Sequence, residues 1–258
     1  MRAYTPAEKF QFKNALLVAL TVSILCIAVH LFFQVSHVPK YNWSIYPRDL
    51  SQWYGIFTGQ FIHASWSHLF SNLPPLFVTT LVMFFFYRSI GWASYFLILS
   101  LTGMMVFILG RNYSHIGASG LVYGLIAFIF FSGIFRRNVK SIALMTIMVI
   151  MYSGYLAGFF PTEERVSWES HLFGAIAGLW TAFVFRNFRE ADELDASDLH
   201  STEEESEPQY FLPRDIFEKT KTERQREQEQ QSNSWTSNST LDDLWNSHPW
   251  RGSRDQDL

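Results

Sequence analysis

The sequence predicts an all-α, polytopic membrane protein: a bundle of six membrane-spanning helices followed by a disordered acidic C-terminal tail. Three observations carry this. Of 258 residues 48% are hydrophobic and 17% aromatic, with 25 Phe. The apolar residues gather before about residue 189 in six successive stretches, and the charges crowd after it. A spanning helix needs roughly 20 mostly apolar residues, which five stretches supply comfortably. Six buried helices of a soluble core could not all be wrapped by so little polar chain.

The first stretch, residues 14–33, is too long for a signal-peptide core and no clear small-x-small cleavage pattern follows it, so it reads as a retained helix. It holds Cys26, the one cysteine, so no intrachain disulfide is expected. Residues 34–66 form a long loop rich in aromatic residues, among them Trp43, Trp53, Trp66, Tyr41, Tyr46 and Tyr54. That density suits the headgroup zone, and the loop is expected to lie partly in the interface instead of folding as a separate domain. Asn42-Trp43-Ser44 matches a glycosylation acceptor, a pattern common by chance. The second stretch, 69–87, contains Pro74-Pro75, which removes backbone hydrogen bonds and is expected to bend the helix. Stretches 92–109, 118–135 and 141–160 follow with short loops. The sixth, 172–185, is marginal and reaches spanning length only if extended to 168–188. No internal repeat is seen.

The expected division is therefore a membrane domain, 1–189, and a polar, acidic, largely disordered tail, 190–258. The tail is rich in Asp and Glu, with a Gln-rich run at 225–231, and cannot bury enough apolar surface to offset its ordering entropy. A polar helix over 213–231 would be marginal in isolation. Trp235, Trp245 and Trp250 read as residues exposed in disorder; a docking role and its partner stay open. The net charge of −3 averages two unlike parts, and no basic face suggests nucleic acid. Lys and Arg next to the spans favour a cytoplasmic N-terminus by the positive-inside rule: Arg2, Lys9, Lys13, Arg88, Arg136, Arg137, Lys140, Arg186 and Arg189 then lie inside. Both termini are cytoplasmic in that topology, and Ser119, His68 and His171 fall near the outer ends of their helices at one depth.

A serine at that depth sits in Gly117-Ala118-Ser119-Gly120, opening the fourth span. Glycines let the backbone turn and another group approach. At a helix start the N–H groups have no intrahelical partner and the dipole favours negative charge, as acyl transfer requires. Small residues for helix packing would read the same way. His171 tips the balance, because an ionisable residue within a span is a functional candidate by default. Gly174 and Gly178 share its face, three and seven residues on, and would let this helix pack tightly on a neighbour. Ser119 with Tyr123, four apart, is the plausible neighbour: hydroxyl to imidazole nitrogen, with the tyrosine ring supporting the imidazole. Histidine is the base a serine hydroxyl needs. Glu169 points elsewhere, so the expected unit is a dyad without a carboxylate. His68 and Asn72, four apart on one face, are candidate oxyanion donors beside the Ser119 N–H; interhelical hydrogen bonds would account for them equally well. A zinc site from His63, His68, His115, His171 and Glu169 is disfavoured: there is no His-Glu-x-x-His, and no two histidines are three or four apart on one helix.

These residues resemble the rhomboid family of intramembrane serine proteases over roughly residues 10–189, in its six-helix bacterial form. The resemblance rests on Gly117-x-Ser119-Gly120, on His171 with Gly174 and Gly178, on His68-x-x-x-Asn72, and on Phe57-Thr58 with His63 five before His68. It implies Ser119 as nucleophile, His171 as base and Tyr123 packing on the imidazole. His68, Asn72 and the Ser119 backbone would form the oxyanion hole, and His63 would have a structural hydrogen-bonding role. It implies no metal or cofactor, a multi-pass bacterial plasma-membrane location, and single-span membrane proteins as substrates, cut near the outer face. The fifth helix and residues 160–167 would act as lateral gate and cap. Many relatives carry a Trp-Arg pair in the first outer loop, whereas here Trp53 and Tyr54 precede Gly55 with no arginine; the departure concerns the loop's anchoring, not the chemistry. Two rival functions are a catalytically inactive relative that escorts membrane clients and a transporter. The first usually lacks the serine or histidine, and the second would place charges mid-span.

Overall fold

The structure is a computed structural model that describes residues 6–160, 167–190 and 219–238. The chain divides into two compact units, Met1–Ser197 and Asp198–Leu258.

The first unit is built from α1 (Pro6–Val35), α2 (Trp66–Phe86), α3 (Gly91–Leu109), α4 (Ser119–Arg136), α5 (Val139–Tyr152) and α6 (Trp168–Val184). Five helical stretches are long and apolar enough to cross a membrane: Lys9–Val35, Trp66–Phe86, Gly91–Leu109, Ser119–Arg136 and Val139–Phe159. The chain is thus a polytopic helical membrane protein. Two elements depart from expectation. The fifth stretch is α-helical only to Tyr152 and continues as a 3-10 helix, Ser153–Phe159. The sixth stays at 17 residues, ending at Val184 instead of reaching residue 188. Pro74 and Pro75 lie inside α2, which continues through both.

Helix starts are capped by side chains that accept orphan N–H groups. Ser65 accepts from His68 N (3.2 Å), Asn138 from Ser141 N (2.8 Å) and Ser167 from Ser170 N (3.4 Å). Helix α4 ends at Arg137 in the left-handed region (φ 55°), which turns the chain into α5. Helix α4 is the central one: 67% of its span is buried against 17% for α1 and for the α5 segment. Its Leu121, Val122, Leu125, Phe128 and Ile129 form the middle of the core.

Helices α4 and α6 meet at glycines. A Cβ on Gly174 would lie 2.0 Å from the Gly120 carbonyl oxygen, and one on Gly178 would lie 2.0 Å from that of Gly124. The helices therefore touch backbone to backbone, an approach open only to residues without a side chain.

The loop after α1 folds onto the bundle through short helical turns, including a one-turn helix Gly55–Thr58. Ile45 and His115 exchange backbone hydrogen bonds (3.0 and 2.9 Å). Arg48 donates to the carbonyls of Ile108 (3.0 Å) and Gly110 (2.9 Å) and to the Asn112 side chain. The loop is thus anchored by an arginine, five residues before Trp53.

Glu190, expected to open the tail, lies in the first unit. It is buried, and its carboxylate accepts from Ser89 N (3.2 Å) and Ser89 Oγ (2.7 Å) beside Arg88. Of the second unit only residues 219–238 are described. They hold α7 (Lys221–Asn238), which overlaps the polar helix expected at 213–231. Thr220 and Glu223 start it with one half of a capping box: the Glu223 carboxylate accepts from Thr220 N and Oγ1, both at 2.8 Å. The acidic runs before Lys219, Trp245, Trp250 and the side chain of Trp235 lie outside the described residues.

Candidate active site

Ser119 is the first residue of α4, preceded by Gly117 with φ +118°. That backbone angle favours glycine, and it turns the loop into the helix start. His171 sits one turn into α6, buried, and its Nε2 lies 2.9 Å from Ser119 Oγ. Its Nδ1 lies 2.8 Å from the carbonyl oxygen of Gly158. A carbonyl only accepts, so Nδ1 carries the proton and donates, and Nε2 is left to accept from the serine hydroxyl. This is the tautomer a general base requires. The orienting group is a backbone carbonyl, where a carboxylate would stand in a triad.

The imidazole lies flat on Tyr123, with ring centroids 4.2 Å apart and planes 10° from parallel. Tyr123 is itself tied down, its hydroxyl donating to the Tyr155 carbonyl at 2.6 Å. Gly158 fills a place that takes no side chain: a Cβ there would fall 1.9 Å from the Tyr123 hydroxyl and 3.0 Å from His171 Nδ1.

His68, half-buried near the start of α2, faces Gly117, where a Cβ would come within 2.8 Å of its Nε2. Its Nδ1 accepts from Ala64 N–H (3.4 Å), which leaves the proton on Nε2, the nitrogen beside the Gly117 backbone. Asn72 is buried one turn on and donates one amide N–H to the His68 carbonyl (2.7 Å), keeping its second. His63 is buried in the turn before α2, and its Nε2 accepts from Ala118 N–H (3.4 Å), tying that turn to the residue before Ser119. Burial first, and the neighbouring His68 second, push its pKa down to about 3. Gly120 faces Ser170, whose carbonyl a Cβ would meet at 3.0 Å, and Gly174 and Gly178 set the α4–α6 approach.

Five residues that the sequence did not assign to the site, Arg111, His115, Ser167, Glu169 and Ser170, join the starts of α4 and α6. Arg111, in the loop before α4, forms a two-pronged ion pair with the buried Glu169, with Nη2 3.1 Å from Oε2. His115 holds Ser167 Oγ with Nδ1 (2.6 Å) and the Arg111 carbonyl with Nε2 (3.1 Å). Burial shifts the His115 pKa downward. Ser167 in turn bonds Ser170 Oγ at 2.6 Å. His115 and Glu169, weighed above as zinc ligands, are thus engaged in helix-to-loop bonds. Gly158 and Tyr155 complete the unanticipated set. The one sequence signal for any of these was the unlike charges of Arg111 and Glu169 at the same membrane face.

Comparison with known proteins adds the family. A rhomboid domain matches residues 50–188. An uncharacterized protein of Mycobacterium tuberculosis is 34% identical over 141 residues, covering 51% of this chain and 58% of its own length. An uncharacterized protein of Mycobacterium leprae is 33% identical over 145 residues, covering 51% and 55%. A Bacillus subtilis protein named "Putative rhomboid protease YdcA" is 25% identical over 144 residues, covering 52% and 67%. The chain thus spans little more than half the length of the mycobacterial relatives.

Proposed function

The chain belongs to the rhomboid family, and on that footing we propose that it is an intramembrane serine endopeptidase working through a Ser119–His171 dyad. The observation that carries the reading is the 2.9 Å Ser119–His171 contact, with Nδ1 of the same imidazole bonded to the Gly158 carbonyl. His171 takes the Ser119 proton as Oγ attacks the scissile carbonyl carbon. The carbonyl oxygen becomes an oxyanion at the α4 N-terminus, where Ser119 N–H, His68 Nε2–H and the second Asn72 amide N–H are the donors at hand. The imidazolium then gives its proton to the leaving amine. A water molecule, deprotonated by the same imidazole, hydrolyses the acyl-enzyme and restores the serine.

Single-span membrane proteins with small residues at the cut are the proposed substrates. The site is proposed to open near the outer face of a bacterial plasma membrane, with both termini cytoplasmic. Helix α5 and residues 160–167 are the proposed gate and cap; 161–166 of these lie outside the described residues.

The test is cleavage of single-span reporters in proteoliposomes by wild type and Ser119→Ala. Wild type cleaves, and the variant, folded and inserted, loses about 10⁴-fold or more of the turnover. Turnover retained by the variant overturns the assignment, and absence of turnover in both favours the inactive client-binding relative.

A further inference from the structure

Two cavities meet at the end of α1, on the side of the bundle where Ser119 and His171 lie. One, of about 450 Å³, is an apolar groove between α1 and the following loop, lined by Leu25, Ala28, Phe32, Trp43 and Phe61 among others. The second, of about 300 Å³, is more polar, its mixed lining including His30, Gln34, His37, Lys40 and Tyr41. Phe33 borders both. In a bilayer a groove with this apolar lining would take an acyl chain. The polar cavity sits where that chain's headgroup would be, in a zone rich in Trp and Tyr.

Its chemistry selects among headgroups. No carboxylate lines it, while Lys40 brings an ammonium group and His37 an imidazole. Lys40 Nζ donates to the Ala64 carbonyl at 2.7 Å and, as an ammonium, carries two further N–H donors. His37 is exposed and held at φ 56°, a conformation uncommon for a residue with a side chain. His30 forms the buried wall, edge-on to Trp66 at 4.5 Å.

We propose that this pair of cavities is a binding site for one anionic phospholipid, its phosphate between Lys40 and His37 and an acyl chain in the groove of Leu25, Phe32 and Phe61. The site is not isolated from the dyad. Lys40 holds the carbonyl of Ala64, and the N–H of Ala64 donates to His68 Nδ1 (3.4 Å). Lys40 therefore lies two hydrogen bonds, and the lipid phosphate three, from the imidazole facing Gly117, a route by which membrane composition tunes the site.

The experiment is native mass spectrometry of the full chain released from phosphatidylcholine nanodiscs doped with phosphatidylglycerol. Wild type retains phosphatidylglycerol over phosphatidylcholine by about fivefold, the size of one juxtamembrane cation's contribution. Lys40→Gln and His37→Gln each lower that selectivity, and Ala28→Trp, which fills the groove, lowers retention of both lipids. His37→Gln decides the matter if loss of the Ala64 contact unfolds Lys40→Gln. Equal retention of the two lipids by wild type overturns the proposal, as does selectivity that survives His37→Gln. Displacement of the lipid by an equal concentration of glycerol 1-phosphate overturns it too, since the groove then contributes nothing. The readout needs no peptide-bond cleavage, so this inference and the protease reading fail separately.

Discussion

Helices α4 and α6 touch through Gly120, Gly124, Gly174 and Gly178 with their backbones in contact, whereas α5 meets α4 closely only near its start, at Gly133, and then lies beside the pair across a gap. Of α5 only Ser141, Leu144 and Met148 are buried. A cavity of about 540 Å³, lined by Tyr123, Phe130, Met148, Tyr152, Leu156 and Ile176 among others, separates it from α4 and α6. The site draws on both regions. The Ser119–His171 distance belongs to the tight junction, where backbone contact leaves no room to adjust. The His171 tautomer belongs to the loose side, because Gly158 lies in the 3-10 segment after α5. Stiffness thus sits where the proposed Ser119–His171 dyad is held close. Looseness sits where an element has room to move, at the edge of the site.

Breaking the tight junction has the largest effect. Gly174→Leu drives a side chain into the Gly120 carbonyl and costs about 3 kcal/mol or more, above the usual overpacking range because the obstacle is backbone. Thermal melting in detergent and reporter cleavage both report it: the midpoint falls and turnover is lost. A variant melting like wild type would mean the helices are not in contact.

Gly158→Ala separates the two regions more cleanly. Its methyl group collides with the Tyr123 hydroxyl, displacing the 3-10 segment and the carbonyl that orients His171. Turnover falls about 10²-fold, the scale of a misplacement of about 1 Å, while the melting midpoint stays near wild type. Equal loss of stability and turnover would place Gly158 in the tight region instead.

Arg111→Ala leaves Glu169 buried without its cation, and the start of α6 loses one of its two ties to the loop before α4. Loss of charge-assisted hydrogen bonds of this kind costs about 2 kcal/mol. Because the His115–Ser167 tie remains, turnover falls about tenfold with little change in KM. Arg111→Lys restores part of it.

The smallest effect concerns pH and the tight side. His63 is neutral in the fold, its pKa near 3 against 6.5 for a free imidazole. Between those values the unfolded chain binds the proton that the folded chain refuses, so stability rises with pH across that window. The contribution of His63 is fully present above about pH 6.5 and is lost as the pH falls toward 3. Groups facing it are His68 and His30, which repel the same proton. The melting midpoint drops from pH 7 to pH 5, and His63→Gln, which keeps an acceptor for Ala118 N–H, shrinks the drop. A drop of unchanged size would assign the pH dependence elsewhere.

The tight region was far more legible in sequence than the loose one. Hydrophobic stretches and the Gly174–Gly178 spacing mark helices and a packing face directly, because both follow from helix periodicity. Ser119 and His171 were visible because a Gly-x-Ser-Gly string opens one span and an ionisable residue within a span is rare. Gly158 carries no such mark: its part is played by a backbone carbonyl, which every residue has, and by a missing side chain. The end of α5 at Tyr152 was marked only weakly, by Gly154 and Gly158 within a stretch that still reads as spanning. Arg48 was missed because its partners are carbonyls some 60 residues away in sequence.

The most direct measurement is the rate at which a fluorophosphonate labels the folded protein in detergent, followed by mapping of the modified residue. One adduct forms on Ser119 in wild type, more slowly in Gly158→Ala, and none accumulates in His171→Ala on the same timescale. Wild type that stays unlabelled, or a His171→Ala variant labelled as fast as wild type, would contradict a serine activated by that histidine.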